Sequence, residues 1–168
     1  SPSPRVAPIS HVIKFAMPMP CRPTTRRPLV RGVDCEMVGV GPAGKRSVLI
    51  RISVVSWRGR VLFDCLTEPE EQVTDWRTKY TGIDAAAFEA IRSGADPNPI
   101  EQMVLPKLVL PTAVAVAKVN ALLDHVVVIG HDLRRDFHLL GRYQCRRLLR
   151  DTAFYPLLAL GLSAKRFS

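Results

Sequence analysis

The feature that most constrains the fold of this chain is a β-rich stretch from Leu29 to Leu66. It contains three runs, 29–40, 48–57 and 61–66, and only a tight turn, Arg58-Gly59-Arg60, separates the last two. Runs of β-branched residues bounded by turn residues favour strands, and so short a connection makes neighbouring strands antiparallel. The sequence therefore predicts an antiparallel β-meander as the first half of a domain.

After the meander the pattern alternates between helix and strand. Helices are predicted over 84–93, 112–124 and 132–141, and a buried strand over 126–130. The proline- and glycine-containing segment 93–111 is predicted to be a loop that carries no chemistry. A meander followed by alternating helix and strand predicts an α/β domain with a mixed sheet and flanking helices.

The charge balance indicates the kind of partner. Lys and Arg number 24 against 15 Asp and Glu, which gives a net charge of +9. Such a surplus attracts polyanions, so nucleic acid or an anionic membrane surface is the expected partner, unless a basic tail inflates the number. Because no apolar run reaches membrane-spanning length and no secretory signal core is present, we expect neither membrane insertion nor secretion.

The first 28 residues differ in texture from the rest. They contain seven prolines and no acidic residue. This composition predicts an extended, flexible basic leader over 1–28, preceding a domain over 29–168. The leader could contact nucleic acid, act as a nuclear signal around Arg22 to Arg27, or serve as a plain linker.

A glycine-rich run, Gly39-Val-Gly41-Pro-Ala-Gly44-Lys45, imitates a phosphate-binding loop. Such loops bind phosphate only where a helix begins at the last glycine. Here the following segment, 47–57, has strand composition, and Arg46 replaces the hydroxyl residue that the motif needs. We therefore predict a hairpin turn at this place.

Two acidic residues in the first predicted strand carry the first chemical signal. Asp34 and Glu36 are two residues apart, so their carboxylates leave the same face of the strand. At roughly 5 Å and an effective dielectric near 20, two such charges repel by about 3 kcal/mol. Mg²⁺ or Mn²⁺ could neutralise them, since both ions prefer oxygen ligands, and so could an arginine-paired acidic face.

A second acidic segment follows the buried strand. Asp132 is predicted to be the N-cap of the next helix, and Asp136 lies one turn further on the same side. Carboxylates from this helix and from the first strand could converge, and such a set holds the ions of two-metal phosphoryl chemistry. The alternatives are that Asp132 only caps the helix and that His131 is a core or rim histidine.

Four runs resemble, in type and order, the motifs of the DEDDh 3′→5′ exonucleases, in the branch of the interferon-stimulated exonuclease and the rRNA-processing exonucleases. They are Asp34-Cys-Glu-Met-Val-Gly39; Val73-Thr-Asp-Trp-Arg-Thr78 with Thr81-Gly-Ile83; Gly130-His-Asp-Leu-Arg-Arg-Asp136-Phe; and Arg150-Asp-Thr152 with Tyr155-Pro156. The resemblance covers about residues 29 to 160. It implies a ribonuclease H-like fold and stepwise hydrolysis of single-stranded RNA, or of DNA, with two Mg²⁺ or Mn²⁺ ions.

The resemblance also assigns roles to individual residues. It implies that Asp34, Glu36 and Asp136 are the catalytic metal ligands, and that Met37 and Arg77 contact the terminal nucleotide. His131 is a further candidate for substrate contact. Arg135 stands where the family often has Asn, and Asp151 matches a position of structural type. A monomer in the nucleus or nucleolus, with the cytoplasm as the alternative location, is expected.

The chain departs from the family in its last segment. DEDDh proteins end with a His and an Asp that supply the general base and the last metal ligand, whereas here no His follows His138 and no acid follows Asp151. We therefore expect a truncated domain with impaired catalysis, or a catalytically inactive nucleic-acid-binding module of the same fold. Five residues could form a phosphate-tracking wall or an ordinary basic face: Arg142, Tyr143, Arg146, Arg147 and Arg150.

Overall fold

The computed structural model describes residues 29–95 and 105–155, which form a mixed seven-stranded sheet with helices packed on it. The strands are β1 Val30–Val40, β2 Arg46–Ser56, β3 Val61–Glu68, β4 Val73–Asp75, β5 Val109–Pro111, β6 Val127–Gly130 and β7 Leu149–Asp151. The helices are α1 Thr78–Thr81, α2 Ala85–Arg92, α3 Thr112–Leu122 and α4 Leu133–Leu139.

The strand order is β5-β3-β2-β1-β6-β7, and β4 pairs separately with β1. The β1-β2-β3 meander is antiparallel, whereas β5, β6 and β7 each run parallel to their neighbours. The meander and the mixed α/β sheet predicted from the sequence are thus confirmed. The glycine-rich run forms a short 3-10 turn, Pro42–Gly44, and leads directly into β2, as the hairpin interpretation requires.

Apolar clusters cover both faces of the sheet. Cys65 and Leu66 are neighbours in β3 and so point to opposite faces, and each belongs to a different cluster. The larger cluster joins the sheet to α3 and α4 through residues such as Val119 and Phe137. The smaller one joins it to α2 through Phe88 and Ile91. The helices are therefore held against both faces of the sheet by burial of apolar side chains.

One secondary-structure prediction was wrong and some fall outside the described residues. The predicted loop 93–111 contains β5, which adds a parallel strand beside β3 at the edge of the sheet. Its part from 96 to 104 lies outside the described residues, as do the leader 1–28 and the segment 156–168. Within the described residues, no helix is both long and apolar enough to cross a membrane.

Candidate active site

The acidic pair lies at an opening in the sheet. Along one edge, β1 pairs with β2 over almost its whole length. Along the other edge it pairs with β6 only over Val30–Gly32 and with β4 only at Gly39 and Val40. Among the described residues, the intervening stretch 33–38 has a strand partner on one side alone. Asp34 and Glu36 stand in this stretch, where no described strand pairs with β1 on one side.

The alternation of β1 directs the two carboxylates away from the core. Val33 and Cys35 are buried in the larger cluster, whereas Asp34 is exposed and Glu36 is partly exposed. Partial desolvation raises the pKa of Asp34, and desolvation together with the charge of Asp34 raises that of Glu36. In both cases the nearby Arg51 opposes the shift. The pair therefore carries a repulsion that Arg51 moderates.

Arg51 is held in place by residues of β2 and β3. It is the cross-strand partner of Glu36. Its Nε and Nη2 atoms donate to the two carboxylate oxygens of Asp64 at 3.0 and 2.8 Å, and the Ser53 hydroxyl donates to the same carboxylate at 2.8 Å. This bidentate ion pair was not foreseen from the sequence, because β2 and β3 had to be placed in register before Arg51 and Asp64 could be matched.

Asp136 brings the third carboxylate. It lies in α4, in the first turn, and is only 6% exposed. Burial first, and then the charges of Asp34, Asp132, Glu36 and Asp151, together raise its pKa to about 7. This repulsion agrees with the packing of α4 against β1, where Phe137 and Cys35 belong to the same apolar cluster.

The start of α4 is capped in an unexpected way. Asp132 occupies the N-cap position, as predicted, but its side chain makes no capping hydrogen bond and its backbone is left-handed, with φ 52°. The Asp151 carboxylate caps the helix instead, accepting from the backbone N–H groups of Asp132 and Leu133 at 2.9 Å each. It also accepts from Ala153 N–H at 3.0 Å. The prediction that Asp132 caps the helix with its side chain was wrong.

A groove of about 350 Å³ adjoins Asp34. It is lined by backbone and side chains of β1, β2, β6 and the turn after β7: Gly32, Val33, Asp34, Ser53, Val55, Ile129, Gly130, His131 and Thr152. His131 is exposed, and its Nδ1 lies 3.0 Å from the Thr152 hydroxyl, which itself donates to the Gly130 carbonyl. The structure thus brings His131 and Asp34 to the same groove.

The other residues expected to contact substrate already have structural partners. Arg77 donates to the Ser47 hydroxyl and to the Gly44 carbonyl at 2.9 Å each. Ser47 lies four residues before Arg51 in β2, so the part of the strand that binds Arg77 is roughly 13 Å from Arg51 at the usual rise of a strand. Met37 packs partly buried against the larger apolar cluster. Substrate contact by either residue remains a prediction.

Arg142 does not belong to a basic wall. Its side chain is only 10% exposed, and its guanidinium donates to the carbonyls of Asn120 and Leu123 and to the side chain of Gln144. These bonds satisfy carbonyls at the end of α3, where no helical N–H remains to do so. The inclusion of Arg142 in a phosphate-tracking surface was therefore wrong, whereas Arg146, Arg147 and Arg150 are exposed.

The three carboxylates suit a divalent cation by their chemistry. They are hard oxygen donors, and their mutual repulsion would be relieved by added positive charge. In the part of the chain that the structure describes, however, no three His, Cys, Asp or Glu side chains are gathered into a ready-made metal-binding group. The negative charge that a divalent cation requires is present, whereas the oxygen ligands are not already arranged around one point.

No family model matches the chain, whereas individual known proteins do. The chain is 37% identical over 123 residues to RNA exonuclease 4 of Neurospora crassa, covering 73% of the chain and 26% of that protein. It is 30% identical to RNA exonuclease 4 of Candida albicans, covering 88% and 47%. It is 36% identical to the human apoptosis-enhancing nuclease, covering 74% and 33%. The chain thus spans about a quarter to a half of the length of these relatives.

Solved structures agree on the fold. The catalytic unit of Neurospora crassa Pan2, a protease and nuclease module, superposes with a TM-score of 0.57 at 20% identity, covering 77% of this chain and 20% of that one. The pseudoubiquitin hydrolase-RNA exonuclease module of Saccharomyces cerevisiae Pan2, in complex with AAUUAA RNA, gives 0.58 at 23% identity, covering 76% and 21%. By its relatives and its ribonuclease H-like fold, the chain belongs to the DEDDh exonuclease family, in the branch of RNA exonuclease 4 and the apoptosis-enhancing nuclease.

Proposed function

We propose that this chain carries the core of a metal-dependent 3′→5′ exonuclease that acts on single-stranded RNA. Asp34, Glu36 and Asp136 would hold two Mg²⁺ or Mn²⁺ ions. The observation that carries the proposal is the packing of α4, which holds the buried Asp136, against β1, which holds Asp34 and Glu36 in a stretch that no described strand pairs with on one side. The charges of both β1 carboxylates raise the pKa of Asp136, in keeping with this packing. Relatives named RNA exonuclease and a structural neighbour solved with RNA support the choice of substrate.

Each residue has a distinct part in this proposal. When bound, the ions would activate water and stabilise the leaving oxygen. The three carboxylates would supply the oxygen ligands. The ion pair with Asp64 would hold the Arg51 guanidinium in place on β2. The groove beside Asp34 would hold the strand close to the acids, with His131 on its rim. Met37 and Arg77 are proposed to contact the terminal nucleotide. The proposed extent of the domain is 29–168.

Metal binding provides the direct test. Titrating Mn²⁺ into the wild-type chain by calorimetry should give a saturable signal, and Asp34→Ala should weaken the affinity at least about tenfold, because one ligand and its charge are lost. Asp124→Ala is a suitable control, since Asp124 is an exposed carboxylate on the loop after α3. Equal Mn²⁺ affinity in wild type and Asp34→Ala would contradict the assignment of this site.

Activity should nevertheless be low for these 168 residues alone. They contain no histidine after His138 and no acid after Asp151. A general base is typically worth about 10²- to 10⁴-fold in rate, and a missing carboxylate would weaken the metal site further. We therefore propose slow stepwise shortening of a 5′-labelled oligouridylate with Mn²⁺, abolished by Asp34→Ala.

The same assay separates the second candidate, a catalytically inactive nucleic-acid-binding module. That candidate is favoured if the oligonucleotide binds but is not shortened at any Mn²⁺ concentration. Brisk shortening, at turnover rates of about 1 s⁻¹ or more typical of competent enzymes, would instead contradict the proposed impairment. Shortening that survives Asp34→Ala would point to a contaminating nuclease or to a different site.

A further inference from the structure

The turn between β2 and β3 is a rigid, basic hairpin tip with an exposed tryptophan. Ser56 and Arg60 close it through a backbone hydrogen bond of 2.8 Å, and the Ser56 carbonyl accepts from Gly59 N–H at 2.9 Å. Gly59 has φ +76°, the left-handed conformation that closes a three-residue hairpin loop at low cost. The Ser56 hydroxyl accepts from Arg60 N–H at 3.1 Å. Trp57 and Arg58 are therefore displayed on a well-defined backbone.

The side chains of this tip are available to a ligand. Trp57 is 74% exposed, and Arg58 and Arg60 are exposed on either side of Gly59. Within the described residues, the side chains of Trp57, Arg58 and Arg60 make no hydrogen bond or ion pair. The sequence between Ile50 and Asp64 contains no acidic residue that could neutralise them. A bare aromatic ring beside two unneutralised guanidinium groups offers a stacking surface with cations nearby, which suits single-stranded nucleic acid.

The tip directly follows the end of β2, a strand that lines the groove beside Asp34. Ser53 and Val55 line this groove, Ser53 being the cross-strand partner of Asp34, and Trp57 follows Val55 by two residues. From Ser53 to Trp57 the strand rises roughly 13 Å. At the ~3.4 Å spacing of stacked nucleotides, this span corresponds to about four nucleotides.

We infer that the 57–60 tip is a second contact for the RNA strand, in which Trp57 stacks on a base and Arg58 and Arg60 bind phosphates, about four nucleotides on the 5′ side of the acidic pair. The inference rests on the proposed function for the position of the 3′ end. None of the acidic residues belongs to this second contact. The RNA contact at the tip and the metal site can therefore fail separately.

The first test uses the small number of tryptophans. The chain has two, and Trp76 packs against Phe88 with ring centroids 5.4 Å apart. In Trp76→Phe, Trp57 is the single tryptophan, and its fluorescence can be excited selectively over that of tyrosine. Adding an eight-nucleotide oligouridylate in EDTA, where no hydrolysis occurs, should quench its fluorescence with a saturable dependence on RNA concentration. RNA binding measured by anisotropy without any change in this fluorescence would overturn the inference.

The second test is the dependence on RNA length. Trp57→Ala should bind the eight-nucleotide RNA about tenfold more weakly, as expected for loss of one base–aromatic stack. A dinucleotide, too short to reach the tip from the acids, should bind the variant and the wild type equally. Tyr80→Ala is the matched control, because Tyr80 is 78% exposed on α1. Equal losses for Trp57→Ala and Tyr80→Ala would overturn the inference.

The third test measures charge. Replacing Arg58 and Arg60 together by Ala should reduce the slope of log affinity against log salt by about 1.4, from two phosphate contacts on a single strand. Exposed lysines on α1 and α3, Lys79 and Lys118, replaced together, should leave the slope unchanged. An unchanged slope in the arginine variant would overturn the inference. So would a Trp57→Ala variant that loses self-association but keeps its RNA affinity, because the tip would then be a protein interface. Asp34→Ala should keep the fluorescence quenching, the dependence on RNA length and the salt dependence. A failure of the tip to bind RNA is therefore distinguishable from a failure of the metal site.

Discussion

Replacing Asp136 with Asn should make the metal-free protein more stable at pH 8, by roughly 2 to 4 kcal/mol, although it removes a proposed functional group. The reason is the cost of ionising a buried carboxylate among other carboxylates. Asp136 is 6% exposed, and burial together with the neighbouring carboxylates, Asp34 foremost, raises its pKa to about 7. Asparagine keeps the shape of the side chain and removes the charge.

The sign of the pH dependence follows from the raised pKa of Asp136. In the folded protein the carboxyl group keeps its proton up to about pH 7, whereas in the unfolded chain it ionises near its ordinary value of 3.8. Between these values the folded state binds more protons, so the free energy of unfolding of the wild type falls as the pH rises, by up to about 1.4 kcal/mol per pH unit. Asp136→Asn lacks this contribution, and its advantage should shrink to under about 1 kcal/mol near pH 4.

Urea unfolding in EDTA at pH 4, 6 and 8 would measure this difference. Glu70→Gln provides the control, because Glu70 is an exposed carboxylate with no hydrogen bond or ion pair among the described residues, so this variant should give nearly the same free energy of unfolding as the wild type at each pH. Adding Mn²⁺ at pH 8 should stabilise the wild type and leave Asp136→Asn almost unchanged, since only the wild type keeps the full carboxylate set. An Asp136→Asn protein that is less stable than the wild type in EDTA at pH 8 would contradict the repulsive site described here.

The parts of the fold that depend on local pattern could be predicted from the sequence. The β-branched runs and the Arg58-Gly59-Arg60 turn determine the meander, and the spacing of Asp34 and Glu36 determines that both leave one face of β1. The position of Asp136 in the first turn of a helix also followed from the sequence alone. Each of these features needs information from fewer than about a dozen neighbouring residues.

The features that depend on contacts between distant segments could not be predicted. Arg142 looked like a surface arginine, but its guanidinium reaches carbonyls of α3 about twenty residues earlier in the chain. Val109–Pro111 is too short and proline-bounded to be recognised as a strand, and it pairs only because β3 offers a parallel edge. The ion pair of Arg51 with Asp64 likewise requires the register of two strands. Tertiary context, not propensity, determines these positions.

The helix cap at α4 shows the same difference between local pattern and tertiary contact, and it gives the last prediction. Asp151→Ala should lower the free energy of unfolding by about 3 to 5 kcal/mol, whereas Asp132→Asn should change it by less than about 0.5 kcal/mol. Asp151 is 7% exposed, and its carboxylate accepts backbone N–H groups from Asp132, Leu133 and Ala153. Alanine would leave these donors without an acceptor in a place that water reaches poorly.

Asp132 should tolerate asparagine for two reasons. Its side chain makes no capping bond to lose, and asparagine accepts the left-handed backbone, φ 52°, as readily as aspartate does. Asp151→Asn should fall between the two variants, because one acceptor oxygen remains while an NH₂ group faces a backbone donor. It also provides a folded protein if Asp151→Ala does not fold.

Urea unfolding of the three variants in EDTA at pH 7 would measure the order of stability. Because Asp151 holds the first turn of α4, loss of this cap should also move Asp136 away from β1, and Mn²⁺ affinity should fall in Asp151→Asn. Val119→Ala, a core substitution in α3, is the matched control: it should lower stability by about 1 to 3 kcal/mol and leave Mn²⁺ affinity unchanged. If Asp132→Asn proved as costly as Asp151→Ala, the helix would be capped by its own aspartate, as the sequence pattern alone suggests.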